Sequence, residues 1–215
     1  MARAYRERDP RLAVVAITPY STYLGTNSGS VPQTFNYWLV DAQNTHAAAS
    51  VGNGTLINFN GAFTPSYFVR KFVIEGAETG GEYSQAPYEW PIIRYADVLL
   101  MLAEAYNNTG NDTKACQYVN QVRARVGMPG VSKSGTALRD YIRDERAREF
   151  PFEGVRFFDL RRWGISSQVI KGDVTTIWGE KIYTLDYPSR YDVWPIPSVE
   201  IDRTPDFAAY QKQGW

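Results

Sequence analysis

The chain has almost none of the residues that most often build metal and nucleophilic sites. Among its 215 residues there is one cysteine, Cys116, and one histidine, His46. A single cysteine excludes an internal disulfide and a cysteine zinc site, and a single histidine excludes a multi-histidine metal centre. A Ser-His-Asp triad would need His46 as its base, and His46 lies in a polar stretch of small residues. Calcium on oxygen ligands stays open, but no calcium-loop spacing is present. We therefore expect no cofactor and no metal site.

An excess of charge and long apolar runs are absent too. The 23 basic residues balance the 23 acidic ones, which gives no electrostatic reason to expect nucleic acid as a partner. No run of about eighteen apolar residues occurs, so a membrane-spanning helix is not expected. The first residues, MARAYRERDPRL, are charged and differ from a signal peptide or a lipid-attachment segment. The length allows one domain with a sizeable core.

The clearest periodicity lies in residues 91–127 and predicts a hairpin of two amphipathic helices. Asn111 or Asp112 is expected to cap the second helix, and Gly127 is expected to end it. A short turn and small residues at contact positions are typical of a tetratricopeptide-like unit. The apolar positions are Ile92, Ile93, Ala96, Leu99, Leu100, Ala103 and Tyr106 in the first helix, and Ala115, Val119, Val122 and Val126 in the second.

The remaining chain divides around this hairpin. Residues 1–90 lack helical periodicity and predict a loop-rich region with short strands near 12–17, 35–40, 56–59 and 67–74. Residues 91–164 predict a helical scaffold, in which a third helix and another short helix follow the hairpin. Residues 165–215 predict a β-hairpin, Thr176–Tyr183 around Gly179, and an extended tail that turns at Ser198–Asp202. The predicted fold is thus mainly α with irregular β and loop regions, in which a tetratricopeptide-like helical hairpin supports a loop-rich ligand face.

Aromatic residues in the predicted loops are the candidates for ligand contact. A tyrosine or tryptophan ring can cover the C–H face of a sugar, while amide and carboxylate groups at the rim bind its hydroxyls. Asn36 and Asp41 flank Trp38 in a suitable way. The candidate ligand-binding residues are Tyr20, Tyr23, Asn36, Tyr37, Trp38, Asp41, Tyr83 and Tyr88.

Two other functions are compatible with the pattern. Glu145 and Glu149 are four residues apart on one predicted helix face and could be the carboxylates of a glycoside hydrolase. The nearby arginines favour instead a partly buried arginine–glutamate network that joins the third helix to its neighbours, with Asp159 as a further acceptor. Arg94 and Asp97, three residues apart, are expected to form a local ion pair. The helical hairpin could also serve as a protein-interaction adaptor, with exposed apolar surface around Val98, Met101 and Leu102 that promotes self-association.

An ordered set of short segments resembles the C-terminal part of the SusD/RagB family of outer-membrane nutrient-binding lipoproteins. The resemblance extends from near residue 7 to the end of the chain. The segments are RDPRL at 8–12, Tyr67 with RKF at 70–72, PIIRYADVLL at 91–100, AEA at 103–105, VN at 119–120 with VR at 122–123, Ile142 with ER at 145–146 and Glu149, FEG at 152–154 with Arg156, DLRRW at 159–163, PIP at 195–197 with EI at 200–201, and QGW at 213–215.

The resemblance implies a non-enzymatic protein that binds glycan or a related nutrient at the bacterial cell surface. It also implies a partner, a SusC-type TonB-dependent transporter in the outer membrane. The N-terminal half of such proteins, with its lipidated cysteine and most helical repeats, has no counterpart here, and we expect it to be a further partner. The segments that carry the resemblance fall on helices, so none of the ligand-binding candidates is transferred by it.

Overall fold

The computed structural model of the chain describes residues 5, 7–18, 21–23, 33–35, 56–57, 68–73, 89–175 and 181–215. The chain divides into two compact units, Met1–Glu153 and Gly154–Trp215. The described residues are mostly helical with a few short strands, which confirms the predicted fold class. The predicted three-part organisation within a single domain stays a prediction.

The first unit begins with a short helix and small sheets. Among its described residues, helix α1 (Arg11–Val15) is followed by five short strands, which are β1 (Ala16–Ile17), β2 (Thr22–Tyr23), β3 (Gln33–Phe35), β4 (Leu56–Ile57) and β5 (Phe68–Val69). Strand β1 pairs with β5 and β2 with β3 in antiparallel fashion, while β3 pairs with β4 in parallel. The predicted strand at 12–17 is wrong for most of its length. Pro10 already has helical dihedral angles and precedes a helical turn, and only the last two residues are extended.

The helical hairpin is confirmed as α2 (Tyr95–Asn108) and α3 (Asp112–Arg125). Asn111 is the N-cap of α3, and its side chain accepts a hydrogen bond from the Lys114 backbone at 3.2 Å. The turn residue Gly110 and the terminal Gly127 have φ of 77° and 70°, which is the conformation that ends helices most readily at glycine.

The predicted start of the first helix is wrong. Ile92 and Ile93 precede α2 and are 89% and 73% exposed. Arg94, the N-cap residue, is extended, with φ −117° and ψ 149°. The helix therefore begins at Tyr95, one turn later than the apolar pattern indicated.

Helix α4 (Gly135–Glu149) packs against both helices of the hairpin and completes a three-helix core. Cys116 lies in α3, is half-buried, and donates from Sγ to the Lys133 carbonyl oxygen at 3.4 Å. The buried apolar side chains of the core are Leu99, Leu100, Ala103, Ala115, Val119, Val122, Leu138, Ile142 and Phe150.

The second unit has short elements throughout. The predicted β-hairpin is confirmed, since β6 pairs with β7 in antiparallel register. The extended tail is wrong, because α7 and a 3-10 helix occupy most of it; Pro197 and Pro205 stand at the starts of these turns, where fixed φ favours helix initiation. The elements are α5 (Val155–Arg162), α6 (Ser166–Val169), β6 (Gly172–Thr175), β7 (Lys181–Leu185), a 3-10 turn (Ser189–Asp192), α7 (Ser198–Arg203) and a 3-10 helix (Pro205–Tyr210).

Candidate functional site

The predicted ligand-binding residues fall almost entirely outside the described part of the chain. Of Tyr23 the backbone is described, and it lies in β2, paired with Gln33 of β3. These assignments therefore stay predictions. The candidates outside the described residues are Tyr20, Asn36, Tyr37, Trp38, Asp41, Tyr83 and Tyr88.

Glu145, the first carboxylate of the hydrolase alternative, is fully buried in α4, with 0% exposure. Its Oε2 accepts a hydrogen bond from Arg123 Nη1 of α3 at 2.9 Å. Its Oε1 forms an ion pair with Arg11 Nη1 of α1 at 2.8 Å. The carboxylate therefore joins three helices of the first unit.

Glu149, one helical turn later, is the centre of the same network and is also buried. It accepts hydrogen bonds from Arg11 Nη1 at 3.0 Å and from Arg94 Nη1 at 2.8 Å. Arg125 Nη2 donates to both of its carboxylate oxygens, at 2.8 and 2.9 Å. Three arginines from separate segments thus meet on one carboxylate, which confirms the predicted arginine–glutamate network.

The predicted local ion pair between Arg94 and Asp97 is wrong. Arg94 points toward Glu149 and Glu153, while Asp97 accepts a hydrogen bond from Arg146 Nη1 of α4 at 2.7 Å. Because Arg94 is extended at the N-cap, its side chain leaves the helix surface and reaches the segment after α4. Both residues therefore link α2 and its start to α4, not to each other.

Lys71 extends the network to the region of β5. Its Nζ pairs with the Glu153 carboxylate and donates to the Pro151 carbonyl oxygen at 3.2 Å. No pattern in the sequence points to its distant partner.

The basic side chains of the network keep Glu149 and Glu153 ionised. Burial alone would raise the pKa of Glu149, but hydrogen bonds from Arg94 and Arg11 outweigh it, so the pKa lies below its ordinary value of 4.5. The pKa of Glu153 is lowered in the same way by Arg94 and Lys71. Conversely, the network raises the pKa of Arg94 despite its burial. A general acid needs a raised pKa, so this arrangement opposes acid catalysis.

A pocket of about 340 Å³ opens beside the network. Its walls include Val14, Val15 and Val126, and Arg125 and Arg148 are half-exposed at it. Glu149 lines the pocket, but Glu145 does not. A glycosidase needs two carboxyl groups on either side of a scissile bond, and this pocket presents one, which is already bound to three arginines.

Other features that could support an activity are few in the described part of the chain. Among the residues that the structure describes, no cluster of histidine, cysteine, aspartate and glutamate side chains is suited to hold a metal ion. No described helix is both long and apolar enough to cross a membrane.

Sequence reasoning missed an aromatic surface in the second unit. Rings contact one another from Phe157 through Tyr187 and Tyr191 to Trp215, with centroid separations of 5.5–6.4 Å. Trp194 is 75% exposed, and Arg161 lies 5.6 Å from its ring centre. The available signal was Trp194 itself, which precedes the rigid Pro-Ile-Pro segment.

Comparison with known proteins gives a consistent result. The sequence profile of the SusD family matches residues 1–215. A crystal structure of a SusD-like protein from Bacteroides fragilis superimposes with a TM-score of 0.73 at 27% identity, and the match covers 98% of this chain and 39% of that one. Two proteins of Formosa agariphila, SusD-like protein P38 and SusD-like protein P25, are 34% and 33% identical over 116 and 121 residues.

The matches cover this chain more completely than they cover its relatives. The aligned segments span 49% and 53% of this chain, but 21% and 22% of P38 and P25. Together with the 39% of the Bacteroides fragilis chain, this means that the chain spans well under half the length of the proteins it resembles.

Proposed function

Because this chain belongs to the SusD family, we propose that it is part of a non-enzymatic protein that binds glycan or a related nutrient. Membership of the family supports nutrient binding as the activity and the bacterial cell surface as its place. The proposal extends to delivery of the ligand to a SusC-type TonB-dependent transporter in the outer membrane.

The observation that carries a binding function, as opposed to hydrolysis, is the burial of Glu145 and Glu149 in ion pairs with arginines. Glu149 accepts hydrogen bonds from three arginines, and Glu145 is fully buried between two. Carboxylates held in this way stabilise the packing of α1, α3 and α4. Their side chains are 0% and 1% exposed, so neither carboxylate presents an oxygen that a sugar could reach.

We place the ligand contact in the loop-rich region of residues 1–90, and Trp38 is its central residue. An aromatic ring offers an apolar platform for a sugar, and the flanking Asn36 and Asp41 supply hydrogen-bonding groups for its hydroxyls. The helical part, whose residues carry the family pattern, acts as the scaffold. A protein of this kind would select its ligand through loop residues, which differ more readily between relatives than buried helix contacts do.

Affinity electrophoresis tests the proposal. The protein is run in native gels that contain neutral, carboxylated or sulfated polysaccharides, and we expect retardation in at least one of them. Trp38→Ala should remove it. Tyr95→Ala is the matched control, because Tyr95 is an exposed aromatic residue on the helical scaffold, and it should migrate like the wild type. Unretarded wild-type protein across the whole panel would contradict the proposal.

A further inference from the structure

Trp194 is held out from the second unit by a rigid segment. Its indole is 75% exposed, although the backbone that follows it is fixed. Pro195 and Pro197 restrict the chain, and Ile196 between them is bound twice by the Gln211 side chain. The Ile196 amide donates to Gln211 Oε1 at 2.9 Å, and Gln211 Nε2 donates to the Ile196 carbonyl oxygen at 3.1 Å. An exposed ring on a fixed backbone loses little conformational entropy when it binds a ligand.

Arg161 of α5 is the cation next to this ring. Its guanidinium carbon lies 5.6 Å from the centre of the Trp194 ring and 5.3 Å from that of Phe157. One N–H group, on Nη2, is bound to the Asp192 carbonyl oxygen, which fixes the orientation of the guanidinium. The contact uses the backbone of Asp192 and not its carboxylate.

Within the described residues, Arg161 forms no ion pair with a carboxylate. This distinguishes it from Arg11, Arg94, Arg123 and Arg125 of the first unit, each of which is paired with a glutamate. A guanidinium has five N–H donors in a planar fork that matches a carboxylate or a sulfate. Arg161 is therefore a fixed cation with donors to spare beside an exposed indole.

We propose that Trp194 and Arg161 form a contact site for an anionic glycan, separate from the loop residues assigned above. The C–H face of a sugar ring would lie on the indole of Trp194, and its carboxylate or sulfate group would accept hydrogen bonds from Arg161. This inference rests on the proposed function for its ligand class, because a nutrient-binding protein of this family encounters polysaccharides.

The chemistry of the site favours a sugar over a protein partner. Tryptophan and arginine are enriched at protein interfaces as well, so the choice of a sugar rests on the N–H donors of Arg161 that are left for an anionic group beside the exposed indole. A sugar acid combines an apolar face with an anionic group on one small body, and it would satisfy both residues at once. We therefore assign an anionic glycan as the ligand of this site, because its negative group complements the positive charge of Arg161.

Affinity electrophoresis and calorimetry with three probes test the proposal. Polygalacturonate supplies carboxylates, carrageenan supplies sulfates, and dextran is neutral. We expect binding to at least one anionic polymer that weakens as salt is raised. Trp194→Ala should lower that affinity about three- to tenfold. Arg161→Gln should lower it about tenfold or more and leave binding to neutral polysaccharide unchanged.

Control variants separate this site from a general apolar surface and from the loop site. Tyr210→Ala removes an aromatic residue of similar exposure, 72%, that has no neighbouring guanidinium in the described structure, and it should bind like the wild type. Equal losses in Tyr210→Ala and Trp194→Ala would overturn the proposal, as would an anionic preference that survives Arg161→Gln.

The two proposals fail in different ways. If the protein binds neutral polysaccharide through Trp38 but no anionic polymer, the Trp194 site is refuted and the proposed function stands. If anionic binding depends on Trp194 and Arg161 but not on Trp38, the site stands and the placement of ligand contact in the loop-rich region is refuted. Stoichiometric binding of a protein partner that Trp194→Ala abolishes, without binding of either anionic polymer, would also refute the glycan assignment.

Discussion

Arg94 and Glu153 are joined by two parallel hydrogen bonds, from Nε to Oε2 at 2.9 Å and from Nη2 to Oε1 at 2.7 Å. The pair connects the residue that begins α2 to the segment that follows α4, 59 positions later in the chain. Arg94 also donates to the carboxylate and the backbone carbonyl of Glu149. One planar guanidinium thus fixes the ends of two helices, which a flexible ammonium group cannot do in the same geometry.

Replacement of Arg94 by lysine should lower the free energy of unfolding by about 1–3 kcal/mol. The charge is kept, but the paired hydrogen bonds to Glu153 are lost and Glu149 is left with fewer donors. Urea unfolding followed by circular dichroism measures the change.

The matched control is Arg139→Lys. Arg139 pairs with its neighbour Asp140 on the surface, and exposed pairs contribute little. We expect a change of less than about 0.5 kcal/mol. Equal destabilisation by both substitutions would mean that the bidentate geometry of Arg94 has no special role.

Acidification should weaken the first unit through its lowered carboxyl pKa values. Despite burial, hydrogen bonds from arginines place the pKa of Glu149 below 4.5, the value that applies to the unfolded chain, and Glu153 behaves alike. A carboxyl group whose pKa is lower in the folded state stabilises the fold above its unfolded pKa, and this contribution is lost as the pH falls through its folded pKa. The free energy of unfolding should therefore be constant near neutrality and fall below about pH 4.5.

Urea unfolding at pH 7, 5, 4 and 3 checks this, with Glu149→Gln as the comparison. The variant should be less stable at pH 7, because its arginines lose their acceptor, and its decline on acidification should be shallower. A parallel decline in both proteins would assign the acid sensitivity to other groups.

The periodic part of the fold was predictable from sequence, and the long-range ion pairs were not. Apolar spacing and caps identify helices locally, so α2, α3 and their turn at Gly110 follow from the residues themselves. The beginning of α2 depends on Arg94, whose extended backbone accompanies contacts with Glu149 and Glu153. Local spacing suggested Asp97 as the partner of Arg94, because a sequence shows which residues are neighbours along the chain but not which residues meet in the folded structure.

The same limit applies to function. That Glu145 and Glu149 would be held by arginines was predicted from the arginines near them in sequence, although the arginines that hold them come mainly from other elements. Which arginines reach them was not, since Arg11 lies 138 positions from Glu149. The exposure of Trp194 was not predicted from the sequence, because exposure depends on the packing around the side chain. An aromatic residue beside prolines is equally compatible with a local apolar contact.

Glu145→Gln should act as a stability mutation and not as a catalytic one. The amide cannot balance the charges of Arg123 and Arg11 in a buried site, and breaking such a pair destabilises by about 3–5 kcal/mol. Release of reducing sugar from the polysaccharide panel should be undetectable in the wild type and in the variant alike. Release by the wild type that disappears in a folded Glu145→Gln protein would instead support a hydrolase.

The exposed face of α2 should promote self-association. Val98 and Met101 are exposed on this helix, near the exposed Ile92 and Ile93 that precede it. Apolar residues grouped on one face tend to associate. Light scattering after gel filtration should show concentration-dependent dimers or larger species, and Val98→Ser with Met101→Ser should shift the protein toward a monomer. Thr109→Ser, at the end of the helix, is the control and should leave the distribution unchanged.

The paired hydrogen bonds between Gln211 and Ile196 should determine how well Trp194 binds. Gln211→Met keeps the length of the side chain but removes both hydrogen bonds, so the backbone around Trp194 becomes free to move. Since Pro195 and Pro197 carry no amide hydrogen, exchange at the Ile196 amide reports on this segment directly, and it should become about tenfold faster or more.

Asn120 makes the same pair of contacts with Val131 in the first unit, at 2.7 and 3.0 Å. Asn120→Leu should therefore destabilise the first unit but leave the binding of anionic glycan unchanged. Gln211→Met, by contrast, should weaken the binding of anionic glycan. Undiminished binding by a Gln211→Met protein with fast exchange at Ile196 would show that rigidity of the segment does not matter for the ligand.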